Sequence, residues 1–333
     1  MKVAIVCDWL LGTGGAERVV LELHKMFPDA PIYTSQYNAN PKIWFGDKWF
    51  EDADVRITWL QKLPKGLKKF LPVLRAWTFS RMNLDDYDLV ISSSGAEAKF
   101  IKVGEKGIHI TYCHAPTHYY WSRYEDYLKH PGFGRLDPLA KLALKLLAGP
   151  MRRWDYRAAQ RPTYFIANSN HTKDQIKKYY DRGSTVIHPP VDVERFDKLN
   201  KSSTLRRGFV TAGRQTPYKK IDLAVKAATS LNLPLIVIGR GPDHAKLKRM
   251  AGRSVTFLSD VSDHEISERF AQAEAFIFPG IDDFGIVAVE ALAAGTPVIA
   301  YKAGGALDYV NKTTGVFFDK QTSESLAKAM QEF

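Results

Sequence analysis

The residues best suited to chemistry lie between positions 278 and 290, in the segment FPGIDDFGIVAVE. Asp282 and its neighbour Asp283 stand in a loop with glycine and proline, and Glu290 stands inside the helix expected to follow. Valine, alanine and leucine surround Glu290, and burying an unpaired charge is costly. A carboxylate in such surroundings is expected to accept hydrogen bonds from ribose or sugar hydroxyls. A position on the solvent face of the helix is the alternative.

Two basic residues follow the first predicted strand of the second half of the chain. Arg214 and Lys219 lie in the segment GRQTPYKK, directly after the predicted strand 208–212. Their placement at one strand end predicts that they converge on one anion, where arginine offers a planar fork to phosphate oxygens and lysine a mobile charge. A pair of solvated charges at a strand end is the alternative.

A glycine loop follows the first strand of the chain. Residues 12–17 read GTGGAE and open a helix. Gly14 and Gly15 there would let the backbone approach a phosphate or a sugar, and the helix N terminus supplies N–H groups. A dinucleotide-binding fingerprint would have a third glycine where Glu17 stands, so a nicotinamide-dependent dehydrogenase is the weaker interpretation. A plain tight turn is the structural alternative.

A histidine and a cysteine adjoin at the end of another predicted strand, in the segment YCHAPTHYYW. Composition alone allows a metal site made of Cys113, His114 and His118. Neighbouring residues of a strand point to opposite faces, however, so Cys113 and His114 do not readily share one ion. We therefore expect no metal here. A hydrogen-bonded core histidine is the plain interpretation of His114.

Short apolar strands alternate with amphipathic helices along the 333 residues, which predicts α/β domains with parallel sheets covered on both faces. The polar segment 191–203 follows two prolines and interrupts the alternation, so it is predicted as a linker. We predict one doubly wound, Rossmann-like domain over 1–190 and a second over 204–333. Such domains bind ligands at the carboxyl ends of their strands, so a cleft between the two domains is the predicted site.

Composition narrows the classes of protein. No apolar run approaches the roughly 20 residues of a membrane helix, and the sequence opens on a strand-like run without an export signal. Two cysteines fit a reducing cytoplasm. The formal net charge is +11, and basic residues stand among leucines and aromatics at 61–82 and 135–153. A nucleic acid, an anionic membrane surface and a phosphorylated substrate each explain such a charge.

The sequence resembles glycosyltransferase family 4, of GT-B fold, and within it the bacterial mannosyltransferase-like enzymes of O-antigen and exopolysaccharide synthesis. The resemblance runs through nearly the whole chain. It rests on DWLLGTGGAERVV, YDLVISSS, YCHAPTHYYW, YFIANS, VIHPPVDVERF, GRQTPYKKIDLAVKA, VTFLSDVSD, FPGIDDFGIVAVEALAAGTPVIAY and GGALDYV, in this order. Family members usually continue beyond the position of Phe333 into a helix that returns to the first domain.

The resemblance implies roles for the residues already named. The family's Glu-x7-Glu motif matches Asp282, shortened by one methylene group, and Glu290. It implies that Glu290 binds the ribose hydroxyls and that Asp282 lies at the donor sugar. The family's phosphate-binding residues match Arg214 and Lys219, which would stabilise the leaving nucleoside diphosphate.

Further positions follow from the same resemblance. The family's glycine loop matches Gly14 and Gly15, and the backbone amides of Phe284 and Gly285 fall where the family holds sugar hydroxyls. His114 matches a histidine near the donor sugar and the acceptor. We count Asp282, His114, Arg214 and Lys219 as the candidate catalytic residues.

The implied activity is that of a retaining, metal-independent hexosyltransferase. The best match is transfer of mannose from GDP-mannose to a lipid-linked saccharide, with the nucleotide-sugar as substrate and no cofactor. Because a lipid tail stays in the bilayer, the enzyme is expected to be cytoplasmic and to bind the anionic inner face of the cell membrane peripherally through 61–82.

Three rival functions remain. They are a nicotinamide-dependent dehydrogenase, a metal-dependent GT-A transferase using Asp52 and Asp54, and a basic protein that binds nucleic acid without catalysis. The two-domain layout and the pair Arg214 and Lys219 count against the GT-A transferase. We expect no nucleic-acid partner, because no known binding module is recognisable and the basic stretches are local.

Overall fold

The chain folds into two compact units, Met1–Pro190 and Val191–Phe333. Each unit contains one parallel β-sheet flanked by helices. The computed structural model describes residues 1–40, 49–63, 72–132, 134–197 and 206–333.

The first unit is built on a parallel sheet of seven strands in the described residues. Its strands are β1 (Val3–Cys7), β2 (Ile32–Thr34), β3 (Val55–Ile57), β4 (Leu89–Ser94), β5 (Ile108–Cys113), β6 (Tyr164–Ala167) and β7 (Thr185–Val186). Their order across the sheet is β3-β2-β1-β4-β5-β6-β7. The helices of this unit are α1 (Gly15–Met26), α2 (Pro72–Ser80), α3 (Tyr124–Lys129), α4 (Asp137–Ala159) and α5 (Asn170–Tyr180).

The second unit repeats this plan with six strands in the described residues. Its strands are β8 (Phe209–Ala212), β9 (Leu235–Ile238), β10 (Val255–Leu258), β11 (Ala275–Phe278), β12 (Val298–Tyr301) and β13 (Gly315–Phe318), in the order β10-β9-β8-β11-β12-β13. Its helices are α6 (Glu194–Asp197), α7 (Ile221–Leu231), α8 (His244–Met250), α9 (Asp263–Gln272), α10 (Ile286–Ala293) and α11 (Ser323–Glu332).

Both sheets reverse the direction of strand addition at one point, between β1 and β4 in the first unit and between β8 and β11 in the second. In open α/β sheets, loops leaving the strands on either side of this switch point diverge and leave a crevice for ligands. The predicted fold class, two doubly wound Rossmann-like α/β domains, is therefore confirmed.

Local sequence explains the main elements. The four residues of β11, AFIF, are all buried, as expected of an apolar run in the middle of a parallel sheet. Helix α1 turns Val19 and Val20 inward. The side chain of Ser169 accepts a hydrogen bond from the amide of Thr172, so Ser169 is the N-cap of α5.

Two features of the chain were not predicted. Helices α2, α3 and α4 have no counterpart in the predicted alternation of strands and helices, because charged residues, proline or glycine interrupt their apolar residues. Residues 191–197 of the predicted linker belong to the second unit: they include α6, and Phe196 is fully buried in that unit's core. Residues 198–203 of the predicted linker lie outside the described residues.

In the part of the chain that the structure describes, no helix combines the length and the apolar character needed to cross a lipid bilayer.

Candidate functional site

A lysine and an acid meet at the carboxyl ends of the central strands of the second unit. Lys219 ends the 3₁₀ turn Pro217–Lys219, and its Nζ contacts Oδ2 of Asp282 in the loop after β11. Oδ1 of Asp282 is buried and has no hydrogen-bond partner among the described residues. A buried acceptor without a donor costs free energy. This oxygen is therefore suited to accept a hydrogen bond from a ligand hydroxyl.

Close backbone packing fixes the position of Asp282. A Cβ at Gly280 would lie 2.9 Å from the carbonyl oxygen of Lys219, and a Cβ at Gly304 would lie 2.6 Å from the carbonyl oxygen of Asp282. Gly304 also has a φ of +69°, which favours glycine. The amide of Gly305 donates to the same carbonyl of Asp282 at 2.9 Å. The lysine turn, the acidic loop and the glycine pair therefore form one tightly packed structure.

Arg214, the second predicted phosphate-binding residue, follows β8 and has an exposed side chain. Its backbone is well supported, because the fully buried Gln215 donates from Nε2 to the carbonyl oxygen of Gly239 at 2.7 Å. The structure thus pairs Lys219 with Asp282 and leaves the guanidinium of Arg214 at the surface of the unit.

Glu290 lies on α10 and is only 9% exposed, so it is not on a solvent face. Its Oε1 accepts a hydrogen bond from Nη2 of Arg195 at 3.4 Å. Nη1 of Arg195 donates to Oδ2 of Asp263 at 2.9 Å, and the guanidinium lies 4.6 Å from the centre of the Phe196 ring. Arg195 therefore holds the candidate ribose-binding carboxylate in place.

Sequence reasoning missed Arg195 because it lies in the predicted linker. The signal was present in VDVERF, where a phenylalanine that is buried in the core follows the arginine directly. A buried anchor at Phe196 brings the side chain before it against the same unit.

The turn from the acidic loop into α10 depends on a glycine. Gly285 precedes α10 with a φ of +88°, and a Cβ there would lie 2.5 Å from the Phe278 ring and 2.7 Å from the hydroxyl of Tyr309. Phe284 is buried, and its ring packs edge-on against Tyr309 with centroids 5.4 Å apart. These contacts fix the backbone at Phe284 and Gly285, which was predicted to bind sugar hydroxyls. The two residues follow Asp282 closely in the sequence.

In the first unit, a buried carboxylate joins the two strands at the switch point. Asp8 follows β1, and its Oδ2 accepts the amides of Gly95 at 2.7 Å and Ala96 at 2.9 Å, while Oδ1 accepts the amide of Ala98 at 2.7 Å. Burial raises the pKa of Asp8, against the effect of these hydrogen bonds. Asp8 was not predicted; the signal was an acid directly after the first strand.

His114 lies one strand further along the sheet, directly after β5. Its Nε2 is 2.7 Å from Oγ of Ser93, and its ring centroid is 5.2 Å from that of Tyr112. A Cβ at Gly95 would lie 3.6 Å from the Cβ of His114, so the loop after β4 passes close to the histidine. The imidazole is thus oriented by a serine at a strand end and is only partly buried.

The core histidine of this sheet is a different residue. His109 is buried, and its Nε2 lies 2.9 Å from Oγ of Ser92 and 3.3 Å from Oγ1 of Thr111. Burial lowers the pKa of His109 to about 3, so it is neutral at physiological pH. His109 is therefore a hydrogen-bonded core histidine, which is what the alternative interpretation expected of His114.

The glycine loop opens α1, with Gly14 as the N-cap and Gly15 as the first helical residue. A Cβ at Gly14 would lie 2.5 Å from Oε2 of Glu17. Burial raises the pKa of Glu17 to about 7, and the charge of Asp8 adds a smaller effect in the same direction. Because the Glu17 carboxyl group occupies the space at Gly14, a hydroxyl is better suited to this loop than a phosphate.

The acids considered for a metal are engaged elsewhere. Oδ1 of Asp52 is 3.3 Å from Nε2 of His24, and Oδ2 of Asp54 is 2.7 Å from Nη2 of Arg56. Cys113 is fully buried. Over the described ranges, no three His, Cys, Asp or Glu residues are grouped as a metal site would require.

Two family models match consecutive parts of the chain. The model Glycosyltransferase Family 4 matches residues 13–195, more than half of the chain, and the model Glycosyl transferases group 1 matches residues 192–333. The chain therefore belongs to glycosyltransferase family 4, which confirms the family that its motifs predicted. Hexosyltransferases, the enzyme class predicted from the sequence, occur among the relatives of this chain.

Individual relatives agree with this family. The chain is 28% identical over 201 residues to a D-inositol 3-phosphate glycosyltransferase of Streptomyces avermitilis, covering 50% of the chain and 43% of that protein. It is 28% identical over 193 residues to a GDP-mannose-dependent monoacylated alpha-(1-6)-phosphatidylinositol monomannoside mannosyltransferase of Corynebacterium glutamicum, covering 49% of the chain and 51% of that protein. The chain spans about half the length of the curated relatives it matches.

A solved structure supports the fold over the full chain. The structure of Anabaena HepE in complex with UDP and glucose superposes with a TM-score of 0.68, at 19% identity, covering 100% of this chain and 89% of that one.

Proposed function

We propose that the chain transfers a hexose from a nucleotide-sugar donor to a saccharide acceptor. The observation that carries this proposal is the buried Asp282 carboxylate, one oxygen bound to Lys219 and the other without a donor among the described residues. A sugar hydroxyl supplies the missing donor. The second carboxylate, Glu290, is buried eight residues later on a helix and would accept ribose hydroxyls. Family membership counts against a dehydrogenase and against a protein that only binds nucleic acid.

The proposed mechanism stabilises the leaving nucleoside diphosphate with protein charges. Two phosphates gain negative charge as the glycosidic bond breaks, and Arg214, Lys219 and the amides at the start of α10 supply positive potential. A phosphate leaving group needs no proton from a carboxylic acid, unlike the alcohol in glycoside hydrolysis. We therefore propose that the reaction needs no metal ion.

Asp282 is proposed to orient the donor sugar rather than to attack it. Its contact with Lys219 neutralises the carboxylate and lowers its nucleophilicity. Retention of configuration then follows if the acceptor attacks from the face that the diphosphate leaves, with a phosphate oxygen taking the acceptor proton. His114, oriented by Ser93, is proposed to bind near the donor sugar and the acceptor.

The proposed donor is GDP-mannose and the proposed acceptor is a lipid-linked saccharide. The Corynebacterium relative is a GDP-mannose-dependent phosphatidylinositol monomannoside mannosyltransferase, whereas the HepE structure contains UDP and glucose. A lipid-linked acceptor would require the enzyme to work at the inner face of the cell membrane, as a peripheral protein.

The stretch 61–82 was expected to bind that membrane, and its middle, 64–71, lies outside the described residues. Two of its members are engaged in the first unit: Nε of Arg75 binds Oε2 of buried Glu97 at 2.8 Å, and Phe79 is fully buried. Trp77 and Arg81 are exposed, with the guanidinium 4.4 Å from the Trp77 ring centre. Only part of the stretch is therefore proposed to face lipid.

A donor screen tests the proposal. Purified protein is incubated with GDP-mannose, UDP-glucose or other nucleotide-sugars and a polyprenyl-linked acceptor, and release of nucleoside diphosphate and transfer of the sugar are measured. Transfer from GDP-mannose is the expected result. If no nucleotide-sugar is bound or turned over, the proposed function is wrong; transfer from a different donor would correct only the sugar.

A further inference from the structure

The first half of helix α4 contributes no buried residue to the core of the protein. Burial along α4 begins at Ala148 and continues through Met151, Asp155, Ala158 and Ala159. All residues from 137 to 147 are described, and none of them is buried. At 1.5 Å per residue this half is about 16 Å long. An exposed helix of this kind would ordinarily be polar on all sides.

This half of α4 is instead rich in leucine. Leu139, Leu142 and Leu146 follow the spacing of one helix face and are 61%, 54% and 67% exposed. Leu147, on the edge of the same face, and Leu136, directly before the helix, are 45% and 51% exposed. Single exposed leucines are common at protein surfaces, but a contiguous row marks an interaction site.

The charges beside the leucine row are basic. Lys141 and Lys145, one turn apart, form a row adjoining Leu142; Lys145 is exposed like the leucines, and Lys141 is half-buried. Between residues 138 and 154 the sequence contains Lys141, Lys145, Arg152 and Arg153 and no acid. The surface therefore combines an apolar row with positive charge.

We propose that the first half of α4 is a membrane-docking helix, whose leucine row enters an anionic lipid surface while Lys141 and Lys145 contact the lipid headgroups. A helix with this pattern lies in the plane of the interface, with its apolar face about 5–10 Å deep. The inference rests on the proposed function, in which the acceptor is lipid-linked, but it identifies a surface other than the stretch 61–82.

Two partners could cover the leucine row of α4, a lipid bilayer or a second copy of the chain, and charge distinguishes between them. Two copies joined through this face would bring their lysine rows together in molecules that each carry a formal charge of +11, and this repulsion opposes association. An anionic bilayer attracts the same lysines and accepts the same leucines. The bilayer is therefore the occupant that both features favour.

Vesicle sedimentation of the full chain tests the proposal. Vesicles of phosphatidylcholine alone are compared with vesicles that also contain phosphatidylglycerol, at low and high salt. The wild type is expected to bind the anionic vesicles and to release at high salt. The double variant Leu142→Glu, Leu146→Glu should bind at least tenfold more weakly, since each leucine leaves the apolar phase.

Two further variants complete the test. Lys141→Gln with Lys145→Gln should weaken binding to anionic vesicles by about fivefold per lysine and reduce its salt dependence. Met26→Glu is the matched control, because Met26 on α1 is 67% exposed like Leu146 and lies in the same unit. Its binding should equal that of the wild type.

Three results would overturn the proposal. They are wild-type binding to neutral and anionic vesicles alike, unchanged binding of the leucine variant, and loss of binding only when Lys65, Lys68 and Lys69 are replaced. A lipid-free dimer that Leu146→Glu dissociates would assign the face to a second copy instead. Nucleoside diphosphate affinity, measured on every variant, separates this test from that of the proposed function: it should stay at the wild-type value whether or not the vesicles are bound.

Discussion

At the scale of single residues, the proposed donor site of the second unit is made of basic and acidic side chains in contact with each other. Lys219 contacts Asp282, Arg195 contacts Glu290, and Arg214 is exposed. Each carboxylate thus has a basic partner within ion-pair distance. Substitutions at these positions test their separate roles.

Replacement of Lys219 with methionine should reduce kcat by about 10²–10³-fold, the usual effect of removing one group that stabilises developing charge. Arg214→Ala should act similarly. Steady-state kinetics with the donor found in the screen are the measurement, and Lys226→Met is the control, since Lys226 pairs with Asp222 on the exposed side of α7. Full activity of both site variants would remove these residues from the mechanism.

Glu290→Gln should weaken the affinity for free nucleoside diphosphate more than Asp282→Asn does. A ribose contact is shared by every nucleotide ligand and contributes to ground-state binding, whereas a sugar contact is absent from the diphosphate. Titration calorimetry of both variants is the measurement. Equal losses would contradict the division between ribose and sugar.

Arg195 is expected to act through Glu290. Arg195→Ala should weaken nucleoside diphosphate binding by about tenfold to a hundredfold, because a hydrogen bond to a charged group is lost and the carboxylate is left without its cation. Arg195→Lys should recover part of the affinity. Arg240→Ala, which removes an exposed ion pair with Asp260, is the control. A lower melting temperature with unchanged affinity would show that Arg195 is structural only.

At the scale of elements, the start of α1 contains a titratable group in a confined place. The pKa of Glu17 is raised to about 7 in the folded chain from an ordinary value of 4.5, so the folded state binds this proton more tightly than the unfolded state. Wild-type stability should therefore fall as pH rises from about 4.5 to about 7.

Glu17→Gln removes this dependence. The variant should match the wild type near pH 4.5 and exceed it at pH 8, by about 3 kcal/mol at most, since one pKa unit corresponds to 1.36 kcal/mol. Denaturant unfolding at both pH values is the measurement. An equal difference between variant and wild type at both pH values would mean that Glu17 does not titrate in this range.

Elements with a clear pattern of apolar residues were predictable from the sequence, and elements whose position depends on tertiary contacts were not. Strands such as β11 were predictable, because a four-residue apolar run between Glu274 and the turn residues Pro279 and Gly280 is typical of a buried parallel strand. Helix α4 was missed because its leucines face outward and glycine and proline stand at its middle. Helix α6 was missed because its place depends on Phe196 entering a distant core.

The candidate site divides in the same way. Residues carried by motifs, such as Asp282 and Glu290, were predictable, and the structure finds both buried. The pairing of these carboxylates with Arg195 and Lys219 was not predictable, because the partners lie 95 and 63 positions away in the sequence. The same holds for Asp8, which binds amides 87 to 90 residues away.

At the scale of the whole molecule, the reaction is expected to be independent of divalent cations. The initial rate should be unchanged in excess chelator, because positive charge at the leaving group is proposed to come from protein side chains. Rates with chelator, with magnesium and with manganese are the measurement. A strict requirement for either ion would contradict the mechanism and reopen a role for Asp52 and Asp54.

The proline inside α4 has a mechanical consequence. Pro150 has no N–H for the carbonyl of Leu146, so the helix lacks a hydrogen bond at the point where its exposed half joins its packed half. Beyond that point Asp155 binds Lys99 at 2.7 Å in the core. Bending of α4 is therefore expected at the turn before Pro150, between the exposed leucines and the residues that hold the buried ion pair.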